Sequence, residues 1–251
     1  MAKVTDRAWK TYKDNLNKLS QKSKDLIVAY MESHEMSSQE DKDALINYAY
    51  SVSTKYGEAA AEFACQMYDA EAELEGVTLD PAEPAEPATY SDVAKGIYGA
   101  LKMYAVAEIA GTTIGRMVKQ CGQDTTLQNA VRDKAYYAWI PSGDSCPFCM
   151  EIAAEGWKRA TANALSGGHA DHIHGNCDCA YAIKHDKDTE YSSYNPDKYK
   201  EMFAEAEGST KEDKVNYIRR KNYAENKDEI NEQKREAYAN RQEVIAEEES
   251  Q

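Results

Sequence analysis

The sequence predicts a mainly α-helical protein with one small α+β region built around a Cys/His cluster. Three observations carry this expectation. Apolar residues recur at helical spacing through the first 76 residues and again after residue 90. Three closely spaced prolines interrupt the chain between those stretches. Four of the six cysteines then gather in a region where short apolar runs alternate as strands do.

The first helix follows from Trp9, Tyr12, Leu16, Leu19, Leu26, Ile27 and Tyr30, which fall on one face. A second helix is expected to start near Ser38, with Glu40 and Asp41 in its first turn, and to run through Leu45, Ile46, Tyr48 and Tyr50. A third, from about Gly57 to Leu74, is rich in small residues, and Ala60, Ala64 and Met67 invite close packing. Residues 1–79 therefore read as a helical hairpin or bundle. Between 80 and 89, Pro81, Pro84 and Pro87 recur every third residue, which excludes a helix and favours an extended linker, taken as the main boundary. Beyond it Ser91 is positioned to cap a helix with Val93, Ile97, Leu101 and Tyr104 on one face, continuing towards Val118.

The stretch 122–186 changes character. A helical piece is expected around Leu127 to Tyr137, and short strands around Tyr136 to Ile140 and Cys179 to Ile183. A helix is expected from Met150 to Trp157. From about Asn195 the chain is polar and helix-forming, with a weak internal echo between 223–230 and 238–244. Tyr217, Ile218, Tyr223, Ile230, Tyr238 and Val244 make a thin stripe, too narrow to stabilise a helix alone. The region 187–251 reads either as a solvated helical tail or as a segment that packs on a partner or neighbouring subunit.

Composition limits the classes of function. A net charge of -14 argues against a general nucleic-acid binder, because phosphate contacts need clustered Lys and Arg. The local exception is Lys3, Arg7, Lys10, Lys13, Lys18, Lys22 and Lys24, a run read first as a solvated face and second as a nucleic-acid or phosphate contact. Eighteen Tyr against three Phe, with a mean hydropathy of -0.77, suit thin helical layers and interfaces. No apolar run approaches the roughly 18 residues of a membrane span, and no hydrophobic signal core opens the chain. Synthesis in a reducing, cytoplasm-like compartment is expected, where paired cysteines act as metal ligands or redox pairs more often than as disulfides.

The chemistry concentrates in C-P-F-C at 146–149 and H-G-N-C-D-C at 174–179. Two short-range ligand pairs separated by a loop are what tetrahedral Zn²⁺ needs. Cys146, Cys149, His174, Cys177 and Cys179 are five candidate donors for four positions, and His169 and His172 are further candidates. Cys65 and Cys121 stand alone and read as small buried apolar residues. C-P-F-C also resembles a glutaredoxin dithiol, but it follows about 140 mostly helical residues and would leave the second cluster without a role. A zinc deaminase would need H-x-E ahead of P-C-x-x-C, and here the order is reversed with no such Glu. A closed structural zinc in a non-enzymatic protein is the expectation.

Taken together, Trp139, Asp144, Cys146, Cys149, Gly156, His174, Cys177 and Cys179 resemble the pattern of the phage Mu F-like minor head proteins. That pattern has an aromatic-containing strand, an Asp before a Cys pair, a Gly-containing loop and a terminal H-P-x-C-R-C. Gly175 stands where the family has Pro, Asp178 stands where it has Arg, and the loop carries an extra H-A-D-H-I-H run. The resemblance covers about residues 90–185. It implies a minor capsid protein in the virion head, made in the host cytoplasm and placed near the portal. Its implied partners are the portal or major capsid protein and packaged DNA, with no membrane and no small-molecule substrate. Its implied roles are head assembly, DNA packaging or ejection. The alternative from the residues alone is an independent zinc-ribbon module that binds nucleic acid or protein.

Overall fold

The computed structural model describes residues 3–4, 6–103, 106–142, 146–165, 179–192, 194–228, 231–232 and 235. Helix α1 (Asp6–Ser33) buries Trp9, Tyr12, Leu16 and Ile27, the stripe its periodicity predicts. Helix α2 (Gln39–Glu75) opens on a capping box. The Ser38 hydroxyl accepts from the Asp41 amide and the Asp41 carboxylate accepts from the Ser38 amide.

The two helices expected between Ser38 and Leu74 are one unbroken helix of 37 residues. Nothing between them breaks a helix, and Gly57 serves packing instead. A Cβ at Gly57 would lie 3.2 Å from the Pro87 Cβ, so its absence lets the proline segment lie against α2. The helix stops at Gly76, which is left-handed with φ 68°, while Val77 N–H bonds the Ala72 carbonyl in a Schellman-type closure.

The proline segment is extended, as its spacing predicts, and it is strapped down. Prolines have no amide, and side chains of α2 and α4 (Val106–Arg132) take up amides between them. Ala82 N–H donates to Asp69 Oδ1 at 2.9 Å, Glu83 N–H to Asn129 Oδ1 at 2.9 Å, and Ala85 N–H to Thr125 Oγ1 at 3.0 Å. Asn129 Nδ2 returns a bond to the Glu83 carbonyl at 2.8 Å, and Arg132 reaches the Pro81 and Asp80 carbonyls.

Helix α3 (Tyr90–Ala100) is capped by Thr89, whose hydroxyl accepts from the Asp92 amide, and not by Ser91. It ends at Ala100 instead of continuing towards Val118. Periodicity hides this break because Val93 and Ile97 before it and Ala110 and Ile114 after it feed the same apolar cluster with Ile27 and Leu45. Tyr104 lies outside the described residues. The helical piece expected over Leu127 to Tyr137 is the end of α4, which stops at Arg132.

Helix α4 lies against the backbones of both α1 and α2. A Cβ at Gly111 would meet the Lys24 carbonyl oxygen at 2.8 Å, at Gly115 the Ser20 carbonyl oxygen at 2.8 Å, and at Gly122 the Ala60 carbonyl oxygen at 3.1 Å. Ser20 Oγ donates to the Gly115 carbonyl at 2.9 Å across the same seam.

The expected strands form β2 (Tyr136–Ile140) and β4 (Ala180–Lys184), paired antiparallel with Trp139 opposite Tyr181. Strand β3 (Lys158–Arg159) adds to the other edge of β2. One face of the sheet, with Ala138, Ile140, Ala180 and Ala182, joins the core of Trp9, Leu16 and Val118. The other face carries Tyr137, Trp139 and Tyr181. At the free edge of β4 the Tyr181 amide donates to buried Gln123 Oε1 of α4, which satisfies a donor that an edge strand would leave open. A parallel pair, β1 (Lys3–Val4) and β5 (Glu190–Tyr191), closes the N-terminal end. Between β3 and β4 lies the short helix α6 (Ala162–Leu165).

The polar C-terminal region forms α7 (Pro196–Glu205) and α8 (Lys211–Glu225). Their Phe203, Ala206, Val215 and Ile218 pack on Met150 and Ala154 of the preceding segment. Of the thin stripe read from the sequence, Ile218 is buried and Tyr223 is 45 % exposed. Ile230, Tyr238 and Val244 lie outside the described residues.

Candidate metal centre

Helix α5 (Pro147–Ala153) begins at Pro147, where the missing amide costs nothing, and Cys146 is its N-cap. It replaces the longer helix expected from Met150 to Trp157. Cys149 falls on its first turn and is buried, while Cys146 is half-buried. Cys179 immediately precedes β4 and is buried. The antiparallel pairing of β2 and β4 therefore brings Cys179 into the cluster that holds Cys146 and Cys149. Cys146, Cys149 and Cys179 share one cluster with Leu127, Trp139, Tyr181 and Ile152.

Trp139 and Tyr181 are cross-strand partners with ring centroids 4.7 Å apart, edge to face, and form the apolar wall of this cluster. Tyr199 of α7 packs on the neighbouring core that holds Trp9 and Tyr194. Burial, and then the nearby Cys179 sulfur, raise its phenol above the usual range. A cavity of about 280 Å³ opens beside this wall, lined in part by Tyr137, Trp139, Ile152, Gly156 and Tyr181.

His169, His172, His174 and Cys177, with Asp144, lie outside the described residues. Among the described residues no three His, Cys, Asp or Glu side chains converge as a metal-holding group. Cys146, Cys149 and Cys179, the candidate donors among the described residues, are thiols in one cluster, and thiolates are a ligand type that Zn²⁺ takes. Cys65 and Cys121 are elsewhere. Burial pushes their thiols up to about 11 and about 12, which keeps them protonated and apolar.

The basic run of α1 is mostly engaged or dispersed. Lys10 pairs with Asp14, Lys24 pairs with Glu108, and Lys13 donates to Ser142 at 2.7 Å while lying over the Trp9 ring. Lys18 and Lys22 are exposed.

Sequence reasoning missed a second polar centre. Glu71 of α2 is 3 % exposed and bonds Tyr191 of β5, and Tyr68 one turn earlier donates to Asp133 at 2.8 Å. The signal was present in the spacing, because Glu71 continues the buried stripe of Ala64, Tyr68 and Ala72.

A mainly helical chain with a small antiparallel sheet and a cysteine cluster at the sheet's end is the class this architecture defines. The family model described as VG15 protein matches residues 3–206, and the chain belongs to that family, a family of viral (phage) proteins. The match spans the helical body, the strap, both cysteine knuckles and α7. No curated protein and no solved structure matches the chain. No described helix is long and apolar enough to cross a membrane.

Proposed function

We propose that this chain is a minor head protein of a phage, working beside the portal or the inner capsid surface in head assembly, DNA packaging or ejection. The observation that carries the reading is family membership over residues 3–206, combined with the Mu F-like order of Trp139, Cys146, Cys149, Gly156 and Cys179 on one sheet-and-helix unit. The role is structural and not enzymatic. Its partners are the portal or major capsid protein, with packaged DNA as a further contact. Tyrosines on helical surfaces, among them Tyr50, Tyr90 and Tyr98, suit an interface that must stay soluble before assembly.

In this reading Cys146, Cys149 and Cys179 hold one structural zinc together with His174 or Cys177. The ion would supply a cross-link between α5 and the start of β4, and thiolate ligation adds directly to folding free energy. Protein purified without chelator should contain about one zinc per chain. Cys149→Ser should lower solubility and melting temperature without removing any chemical activity. Absence of zinc, or native stability of the variant together with loss of a thiol-reductase activity, would defeat the structural-zinc part.

The head assignment is tested by purifying procapsids and virions from infected cells. This chain should co-purify with portal or capsid protein. Finding it in neither particle and free in the lysate would replace the reading with an independent zinc module.

A further inference from the structure

The Tyr191 hydroxyl lies between two oxygens. It is 2.8 Å from the Ile183 carbonyl and in hydrogen-bond contact with Glu71 Oε1, with both side chains buried. A phenol carries one hydrogen, and a backbone carbonyl can only accept. That hydrogen can serve only one of the two oxygens, and when it goes to Ile183 the hydrogen shared between Tyr191 and Glu71 comes from the carboxyl group.

We propose that Glu71 is a neutral carboxylic acid in the native protein, donating to Tyr191, and that its ionisation unlatches Tyr191 from the helical body. This proposal is independent of the head-protein reading.

The surroundings of Glu71 support it from every side. On α2 itself lie Tyr68, whose hydroxyl is given to Asp133 beside Arg132, and Glu75, a second acid one turn on. Helix α1 brings Tyr12, and β1 sets Val4 beside Tyr191. Exposed Glu190 neighbours Tyr191 on β5. From β4 comes the Ile183 carbonyl, while the Lys184 ammonium is turned to the Lys187 and Thr189 carbonyls. His185 follows, with its ring edge-on to Tyr68 and its amide bonded to Glu75. Among the described residues no cation is paired with Glu71. Burial above all, and the neighbouring Glu75, accordingly raise its carboxyl well above the usual 4.5; only a Tyr191 hydroxyl turned to the carboxylate would act the other way.

Tyr191 is a pin as well as a partner. Its ring meets Trp9 of α1 edge-on at 5.5 Å and Trp157, after α5, at 5.3 Å. Releasing it frees the segment after β4 from α1, α2 and the turn beyond α5 together. The sign follows from where the proton sits. Above the ordinary Glu value of 4.5 the open chain gives up a proton that the latched form keeps. Raising the pH therefore disfavours the latched form by up to about tenfold per pH unit, until Glu71 ionises in place.

The test combines infrared spectroscopy of the full-length protein with tryptophan emission. At neutral pH the wild type should show a protonated-carboxyl C=O stretch, which Glu71→Gln removes. Between mildly acidic and mildly alkaline pH, wild-type emission from the tryptophans flanking Tyr191 should change reversibly. Glu71→Gln, whose amide still donates to Tyr191 but cannot ionise, should hold its emission constant. Absence of the carboxyl band in the wild type overturns the proposal, whether or not the variant folds. An unchanged pH response in a folded Glu71→Gln overturns it equally.

Discussion

Replacing Gly115 with alanine sets two effects against each other in the seam between α1 and α4. Alanine in a helix interior is worth about 1 kcal/mol over glycine. Against that, the new Cβ would lie 2.8 Å from the Ser20 carbonyl oxygen and 3.0 Å from the Ser20 hydroxyl. The nearer atom is backbone, so it can retreat only if α1 moves as a body. Overpacking of this kind costs about 1–3 kcal/mol. Separating the helices also loses the Ser20 bond to the Gly115 carbonyl, worth about 1 kcal/mol. The balance is a loss of about 2 kcal/mol, which for a chain of this size lowers Tm by about 4–8 °C. Gly99 in α3 provides the control, because a Cβ there meets nothing within 4 Å. Gly99→Ala keeps the propensity gain without the clash, and Tm should rise by about 2–3 °C. Both are read by circular dichroism melting of the full chain. Should Gly115→Ala melt as high as Gly99→Ala, the close approach of α1 and α4 would be refuted.

Other perturbations probe other parts of the fold. Asn129→Ala strips the Glu83 amide of its partner and removes one of two donors to the Glu83 carbonyl, which keeps Gln128 Nε2, and should cost about 1–2 kcal/mol, read as a lower urea midpoint at unchanged slope. Phe203→Ala should release α7 and α8 from α5, seen as faster proteolytic cleavage around residues 206–210 while the melting of the helical body is retained. Burial raises the Asp133 carboxyl, but hydrogen bonds from Arg132 and Tyr68 outweigh it and hold it below the usual 3.8. Its contribution is therefore present above that value and lost as pH falls through the depressed one, so Asp133→Asn should flatten the acid limb of the stability curve.

What the sequence disclosed was what local patterns encode. The stripe from Trp9 to Ile27 and the short strand-like runs at 136–140 and 179–183 follow from local helix and strand patterns, and a helix and two strands stand there, the second strand at Ala180–Lys184. The spacing of the cysteines singled out Cys146, Cys149 and Cys179, which lie in one apolar cluster with Trp139 and Tyr181. Gly57 misled because a glycine that clears space for Pro87 looks the same, in sequence, as one that ends a helix. The prolines declared an extended segment, but its side-chain partners, Asn129 and Thr125, stand 40 or more positions away. The spacing put Glu71 on a buried stripe, but what it bonds was hidden for the same reason. Its partner Tyr191 is 120 residues downstream, a distance no local pattern spans.

The seam of α1 on α4 also governs how the chain is made. Ser20 and Gly115 are 95 positions apart, an interval of about 5–20 s on a ribosome adding about 5–20 residues per second. Through that interval α1 has emerged without the helix that covers it, and Trp9, Tyr12 and Leu16 have no finished core to enter. Helix α2 follows directly and offers Ala60 and Ala64 to the same cluster, so the nascent hairpin shields part of that stripe until α4 arrives. Shortening the gap between the two helices by circular permutation would shorten this exposure, and the yield of soluble protein at high expression rate would record the difference.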